Sequence, residues 1–206
     1  MMTFGQDLRW RRELIEWINL QPGERVLDLG AGTGDLAIEV LRQQPGCRVA
    51  AADFTPAMMR LGQGRTNGDR LLWLAADALH LPFPEASFDV IVSGFLLRNV
   101  SDLDQALREQ HRLLKPNGRL ACLDTSRPEP KWHTPFLNLY LRLIIPGLGK
   151  VFAGNAPAYR YLSASTQAFL TAPELAEHIA AAGFQEVRFE RRMFGAIALH
   201  WATKER

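Results

Sequence analysis

Residues Val26–Gly34 read V-L-D-L-G-A-G-T-G. One acid, Asp28, breaks an apolar run, and glycines follow at every second position, Gly30, Gly32 and Gly34. A short apolar run that ends in glycines where helical periodicity begins is a strand turning into a helix. The neighbouring sequence repeats that unit. Upstream, Leu8, Ile15, Trp17 and Ile18 recur at helical spacing over Gln6–Leu20, and Pro22-Gly23 makes a turn before the strand Arg25–Leu29. Downstream come a helix over Thr33–Arg42, a strand at Arg48–Ala52, a helix opened by Thr55 as cap and Pro56 as first residue, and strands at Leu71–Ala76 and Phe88–Ser93. Ser101 is the expected cap of a helix over Ser101–Leu114; the turn residues Lys115–Gly118 stop it, and a fifth strand covers Arg119–Asp124. A helix at Ala172–Ala182 and strands at Phe184–Glu190 and Ala196–Thr203 close the chain.

Strand alternating with helix builds a parallel, doubly wound sheet with right-handed crossovers and helices on both faces. The last two strands are joined by a short turn, so the final strand runs antiparallel. The expectation is a Rossmann-like α/β fold: a mostly parallel seven-stranded sheet in a single domain over 1–206, with an N-terminal helix over about 1–22. Residues 125–170 carry no strand signal and are rich in Pro, Trp, Tyr and Leu. They read as a helical lid inserted over the carboxyl edge of the sheet, where such folds bind ligands.

Composition narrows the function classes. The 206 residues are 47% apolar and 22% charged, a globular balance. A formal net charge of +2 argues against a dedicated nucleic-acid binder. Cys47 and Cys122 sit in apolar strand-like runs and read as buried thiols, which points to a reducing, cytoplasmic compartment. The most apolar stretch, Phe136–Leu148, is interrupted by Asn138, Arg142 and Pro146 and is too short to span a bilayer. The five histidines lie on different elements without ligand spacing, so no metal site is expected.

The glycine loop admits three ligand readings. A triphosphate loop needs a lysine after its last glycine, and none follows Gly34. A dinucleotide fingerprint spaces its third glycine one residue later. A plain turn needs one glycine, not three. Asp28 discriminates: a carboxylate there repels pyrophosphate and suits a cation. S-adenosylmethionine carries a sulfonium and an α-amino group and no phosphate, and the helix N-terminus beyond Gly34 favours its carboxylate. Asp53 ends the second strand and suits ribose hydroxyls; Asp77 ends the third and suits an adenine amine, with the Ala78 N–H on a ring nitrogen.

The segments VLDLGAGTG, AADFTP, ADALHLPFPEASFDVI and LLKPNGRL resemble class I S-adenosylmethionine methyltransferases. More narrowly, the Leu81–Asp102 block with its Leu97-Arg98-Asn99 triplet, YRYLSAS at Tyr159–Ser165 and GAIALH at Gly195–His200 are similar to the menaquinone/ubiquinone biosynthesis C-methyltransferases. The resemblance implies C-methylation of a lipophilic quinol, either demethylmenaquinol or a polyprenyl-benzoquinol, with S-adenosylhomocysteine as by-product. By position it implies cofactor contacts from Asp28, Gly30, Gly32, Thr33, Asp53, Phe54, Asp77, Ala78, Ser93 and Gly94. It implies catalytic roles for Arg98 and Asn99, with Tyr159, Arg160 and Tyr161 lining the lid. It also leaves room for a homodimer and for a cytoplasmic protein held peripherally at the inner membrane face.

Against the family pattern the sequence is expected to be short at its N-terminus, since the Tyr-Asp pair usual ahead of Phe4-Gly5 is not within it. Asp124 stands where a Glu is usual, and Thr125 where an aromatic is usual.

A quinol ring carbon becomes nucleophilic once a neighbouring hydroxyl loses its proton, so such a site must accept a proton or hold a phenolate. Arg98 fits the second task, unless it serves as a surface partner of Asp102 or Asp104, and Asn99 fits the second quinol oxygen. His80, in the loop after the third strand, is the histidine nearest this block and an alternative base. Arg9, Arg11 and Arg12 read as a solvated helix face, with contact to anionic lipid heads, together with Arg142, as the alternative. Other classes stay open: a methyltransferase for another small aromatic or lipid acceptor, a cofactor-binding partner protein without activity, and a nicotinamide oxidoreductase.

Overall fold

The strand carrying Asp28 is the third across a seven-stranded sheet. The computed structural model describes residues 6–128 and 169–206. The strands are β1 Arg25–Leu29, β2 Arg48–Asp53, β3 Leu72–Ala75, β4 Phe88–Gly94, β5 Leu114–Thr125, β6 Phe184–Arg192 and β7 Ile197–Lys204. The helices described are α1 Gln6–Ile18, α2 Asp35–Gln43, α3 Pro56–Gln63, α4 Leu103–Leu113 and α5 Ala172–Ala181. The strands lie in the order β3-β2-β1-β4-β5-β7-β6; β1 to β5 pair in parallel, and β7 is antiparallel to both β5 and β6, as the short last connection requires.

A sheet covered on both faces needs strands that are apolar on both sides. Val26, Val90, Val92 and Leu123 face a core with α1 and α2; Leu27, Leu29, Ile91 and Leu120 face a second core with α4 and α5. By the strand's two-residue alternation, Asp28 and Gly94 share the α1/α2 face, while Ser93 and Asp124 share the other. Winding proceeds from β1 to β3 in one direction, and β4 then pairs on the opposite side of β1. The crevice of a doubly wound fold opens at that reversal, outside the carboxyl ends of β1 and β4.

Several local details depart from expectation. Helix α1 buries Trp10, Leu14, Ile15 and Ile18, whereas Leu8 and Trp17 are exposed. The stripe Trp10–Leu14–Ile18 has i, i+4 spacing and competes successfully with the one anchored on Leu8. The cap of α4 is Asp102, not Ser101: its carboxylate accepts from the Gln105 N–H at 2.9 Å. Thr55 occupies the cap position of α3 but makes no side-chain cap bond. Helix α4 does stop ahead of Lys115–Gly118, but β5 begins at Leu114 rather than Arg119 and takes in the turn residues. Leu114 already pairs with Phe88, a register irregularity between Phe88 and Val90 absorbs the turn residues, and Lys115 reaches Asp89 at 2.7 Å.

Ser126–Pro128 leave β5, and Phe169 and Leu170 lead back into α5. The Arg127 N–H donates to the Leu170 carbonyl at 3.0 Å, and Arg127 pairs with both Glu174 oxygens at 3.0 Å. Most of the expected lid, with Tyr159, Arg160 and Tyr161, lies outside the described residues. Among the described residues no helix is long and apolar enough to cross a membrane.

Candidate active site

The glycine loop is shaped by packing as much as by any ligand. The Gly30 and Ala31 N–H groups both donate to the Ala52 carbonyl, at 2.8 and 3.0 Å. Gly34 has φ +79°, and a Cβ there would lie 2.7 Å from the Trp73 ring. The third glycine therefore admits an indole and a left-handed turn into α2.

Asp28 lies at the floor of this loop, 1% exposed. One carboxylate oxygen accepts from the Ala37 N–H at 2.9 Å, supplying from the strand the cap that Gly34 cannot give α2. Its other oxygen has no hydrogen-bond partner. Burial pushes its pKa up to about 7, against the lowering effects of the Ala37 N–H and of Arg11. An anion so placed lacks one partner, and a cationic group would provide it.

Asp53 closes over the loop from β2, accepting from the Gly32 N–H and the Thr55 N–H, both at 2.7 Å. Phe54 beside it is 78% exposed. Arg65 reaches across to the Thr33 carbonyl at 2.9 Å and to Asp35 at 2.5 Å. Asp77, past β3, is exposed; it accepts from the Leu79 N–H at 2.9 Å, and Ala78 is tucked into the core. The three acids thus stand at the ends of three adjacent strands, as their spacing predicts.

The other side of the crevice holds Arg98 in a short turn, Leu97–Asn99, after β4. Its guanidinium meets Asp124 at 3.2 Å, with side chains 10% and 1% exposed. Arg98 is therefore not a surface partner of Asp102 or Asp104; the former caps α4 and the latter pairs with His178 at 2.6 Å. Burial raises the Asp124 pKa to about 6, opposed chiefly by Arg98. Asp124 also accepts from the backbone N–H of Thr125 at 2.7 Å and of Arg98 at 3.3 Å. The Arg98 Nε, Ser93 Oγ and Thr125 Oγ1 are buried without a hydrogen-bond partner.

Phe95 joins the two sides. Its φ of +60° is left-handed for a bulky residue. Asn99 holds that turn by donating its amide N–H to the Phe95 carbonyl at 2.9 Å. The Arg11 and Arg98 guanidinium carbons lie 5.5 and 5.0 Å from the Phe95 ring centroid.

The structure thus gathers Asp28, Gly30, Gly32, Thr33, Asp53, Ser93, Gly94, Arg98 and Asn99 around one crevice. His80 is exposed beyond Asp77, and His200 is buried with its Nε2 donating to the Ala172 carbonyl at 2.9 Å. Both cysteines are buried and free. Sequence reading missed Arg65, and it placed Arg11 on a solvated face. The Arg11 side chain is only 14% exposed and points at Gly94. A cation three residues before a buried Leu14 and one after a buried Trp10 was the available signal.

The sequence model of the ubiE/COQ5 methyltransferase family matches residues 1–204. A ubiquinone/menaquinone biosynthesis C-methyltransferase of Desulfotalea psychrophila is 41% identical over 204 residues, covering 99% of this chain and 83% of the relative. A demethylmenaquinone methyltransferase of Thermus thermophilus is 40% identical, covering 97% and 91%. Among solved structures, the Haemonchus contortus phosphoethanolamine N-methyltransferase 2 superposes with a TM-score of 0.71 at 14% identity, covering 96% of this chain and 53% of that one. The [4+2]-cyclase SpnF gives 0.72 at 20% identity, covering 96% and 80%. That a cyclase stands beside a methyltransferase shows that this level of likeness fixes the fold and not the chemistry.

Proposed function

We propose a function from one premise: the chain belongs to the ubiE/COQ5 methyltransferase family. It transfers a methyl group from S-adenosylmethionine to a ring carbon of a lipophilic quinol, demethylmenaquinol or a polyprenyl-benzoquinol. The observation that carries the reading is the placement, at the carboxyl ends of neighbouring strands, of a carboxylate-bearing glycine loop and the Arg98–Asp124 pair, bridged by Phe95.

The residues fit the cofactor. Asp28 keeps a bare buried oxygen for an ammonium group, and Asp53 lies where ribose hydroxyls would displace its bonds to Gly32 and Thr55. Asp77 and Ala78 flank the adenine end, and Phe54, exposed beside Asp53, supplies a face for the nucleoside. When bound, S-adenosylmethionine supplies an activated methyl group, so positioning provides much of the acceleration.

Arg98 provides the rest. Asp124 holds its Nη1 and leaves its buried Nε unpartnered, so the guanidinium presents a positioned donor to a developing phenolate. A guanidinium is no base, and the phenol proton leaves through water. Asn99 donates to Phe95 and keeps its carbonyl oxygen for the second quinol hydroxyl. Tyr159 and Tyr161 are the remaining acceptor-binding candidates in this reading. The acceptor dissolves in membrane, so the chain works at a membrane face; co-sedimentation with anionic vesicles tests that contact.

The deciding experiment is incubation with labelled S-adenosylmethionine and a panel of quinols, reading product mass and methyl position. Label transfer to oxygen, or to none of the quinols, would sink the proposal.

A further inference from the structure

Arg11 is a half-buried cation with no hydrogen-bond partner at its Nε. It crosses from α1 over the end of β4, and its side chain is 14% exposed. The carboxylates it meets, Asp35 at 3.9 Å and Asp7 at 4.0 Å, lie beyond hydrogen-bond range. Asp35 is already held by Arg65 at 2.5 Å. The Arg11 Nε is buried and unpartnered. Leaving a guanidinium out of water in this way is costly unless something else completes it.

The surrounding packing is arranged for it. Gly94 is the floor of the notch: a Cβ there would stand 3.0 Å from Arg11 Nη1 and 3.1 Å from the Leu36 side chain. Any other residue would push the guanidinium from its place by a few tenths of an ångström. Phe95 offers its ring at 5.5 Å on the other side. Asp28 shares this face of the sheet, with its own bare oxygen, and feels the charge of Arg11. A cation and an anion, each lacking one partner, therefore flank the same notch at the ends of β1 and β4.

The geometry points to Arg11 as the ligand of an α-carboxylate, with Asp28 facing the ammonium of the same zwitterion and Gly94 as the gap that admits the guanidinium. The ligand is the amino-acid end of the methyl donor, so the inference rests on the cofactor reading above. The helix α2 N-terminus is less suited to that carboxylate, because its Ala37 N–H is taken by Asp28 and its first turn carries Asp35.

The test compares S-adenosylhomocysteine with 5′-methylthioadenosine, which lacks the amino-acid end, by titration calorimetry on the full chain. Arg11→Met should weaken S-adenosylhomocysteine about 10- to 100-fold, the size of a lost charge-assisted contact, and leave methylthioadenosine unchanged. Arg11→Lys should lose less, and Gly94→Ala, which displaces the guanidinium from the other side, should reproduce the selective loss if Arg11→Met does not fold. Equal weakening of both compounds, or unchanged S-adenosylhomocysteine affinity in the variants, would overturn the assignment. A wild-type chain that binds neither compound would overturn the cofactor reading and this inference with it.

Discussion

Replacing Asp28 by Asn turns the burial of its carboxylate into a measurable slope. Burial raises this pKa from 3.8 to about 7, so between those values the folded chain holds a proton that the unfolded chain has released. Stability must then fall as pH rises through this window. The interval corresponds to about 4 kcal/mol at pH 8, at about 1.4 kcal/mol per pH unit, and to under about 1 kcal/mol at pH 4. Asn keeps a carbonyl for the Ala37 N–H but places an amide at the unpartnered position, a penalty of about 1–3 kcal/mol that does not depend on pH. The informative quantity is therefore the stability difference between variant and wild type. It should move in favour of the variant by nearly 4 kcal/mol from pH 4 to pH 8. Asp124, raised to about 6, titrates equally in both proteins and cancels. Urea unfolding at pH 4, 6 and 8 at fixed ionic strength measures the difference. A difference that stays constant across that range would refute the assignment of Asp28 as a buried, proton-holding carboxylate.

The same titration should appear in binding. If an ammonium group completes Asp28, S-adenosylhomocysteine should release close to one proton from this site at pH 6 and almost none at pH 8.5; calorimetry in buffers of different ionisation enthalpy reads this, and Asp28→Asn should remove it. Arg98→Ala leaves Asp124 buried and unpaired, which should destabilise by about 3–5 kcal/mol at pH 8 and by less at pH 5. Adding Asp124→Asn should restore the stability but leave turnover down by about 100-fold or more, and recovery of both would reduce Arg98 to a structural residue. Gly34→Ala meets a left-handed backbone and the Trp73 ring at 2.7 Å, so it should cost about 2–4 kcal/mol, seen as a lower urea midpoint at unchanged slope.

The sheet was readable because its cause is local. A parallel strand buried on both faces is an apolar run, and Arg25–Leu29, Arg48–Asp53 and Phe88–Gly94 fell within a residue of expectation. The acids Asp28, Asp53 and Asp77 were readable for the same reason, since a polar residue closing such a run marks a strand's carboxyl end. What the sequence concealed depends on distance. Asp124 reaches Arg98 across 26 positions, and nothing near either residue announces the pair. Arg11 sits in a run of arginines that looks solvated, and only its packing against Gly94 withdraws most of its side chain from solvent. The Ser101–Asp102 ambiguity is of another kind: both residues can cap, and the helix chose the carboxylate that could reach Gln105.

The bond from Arg127 to Leu170, with the Arg127–Glu174 pair beside it, fastens the stems of the segment between them. Helix α5 and the two final strands are thereby registered on the sheet by contacts outside that segment. Chain length between the stems adds closure entropy only logarithmically. Residues 129–168 are thus a replaceable cassette: they can be lengthened, shortened or rewritten while the stems and the sheet that they join stay the same.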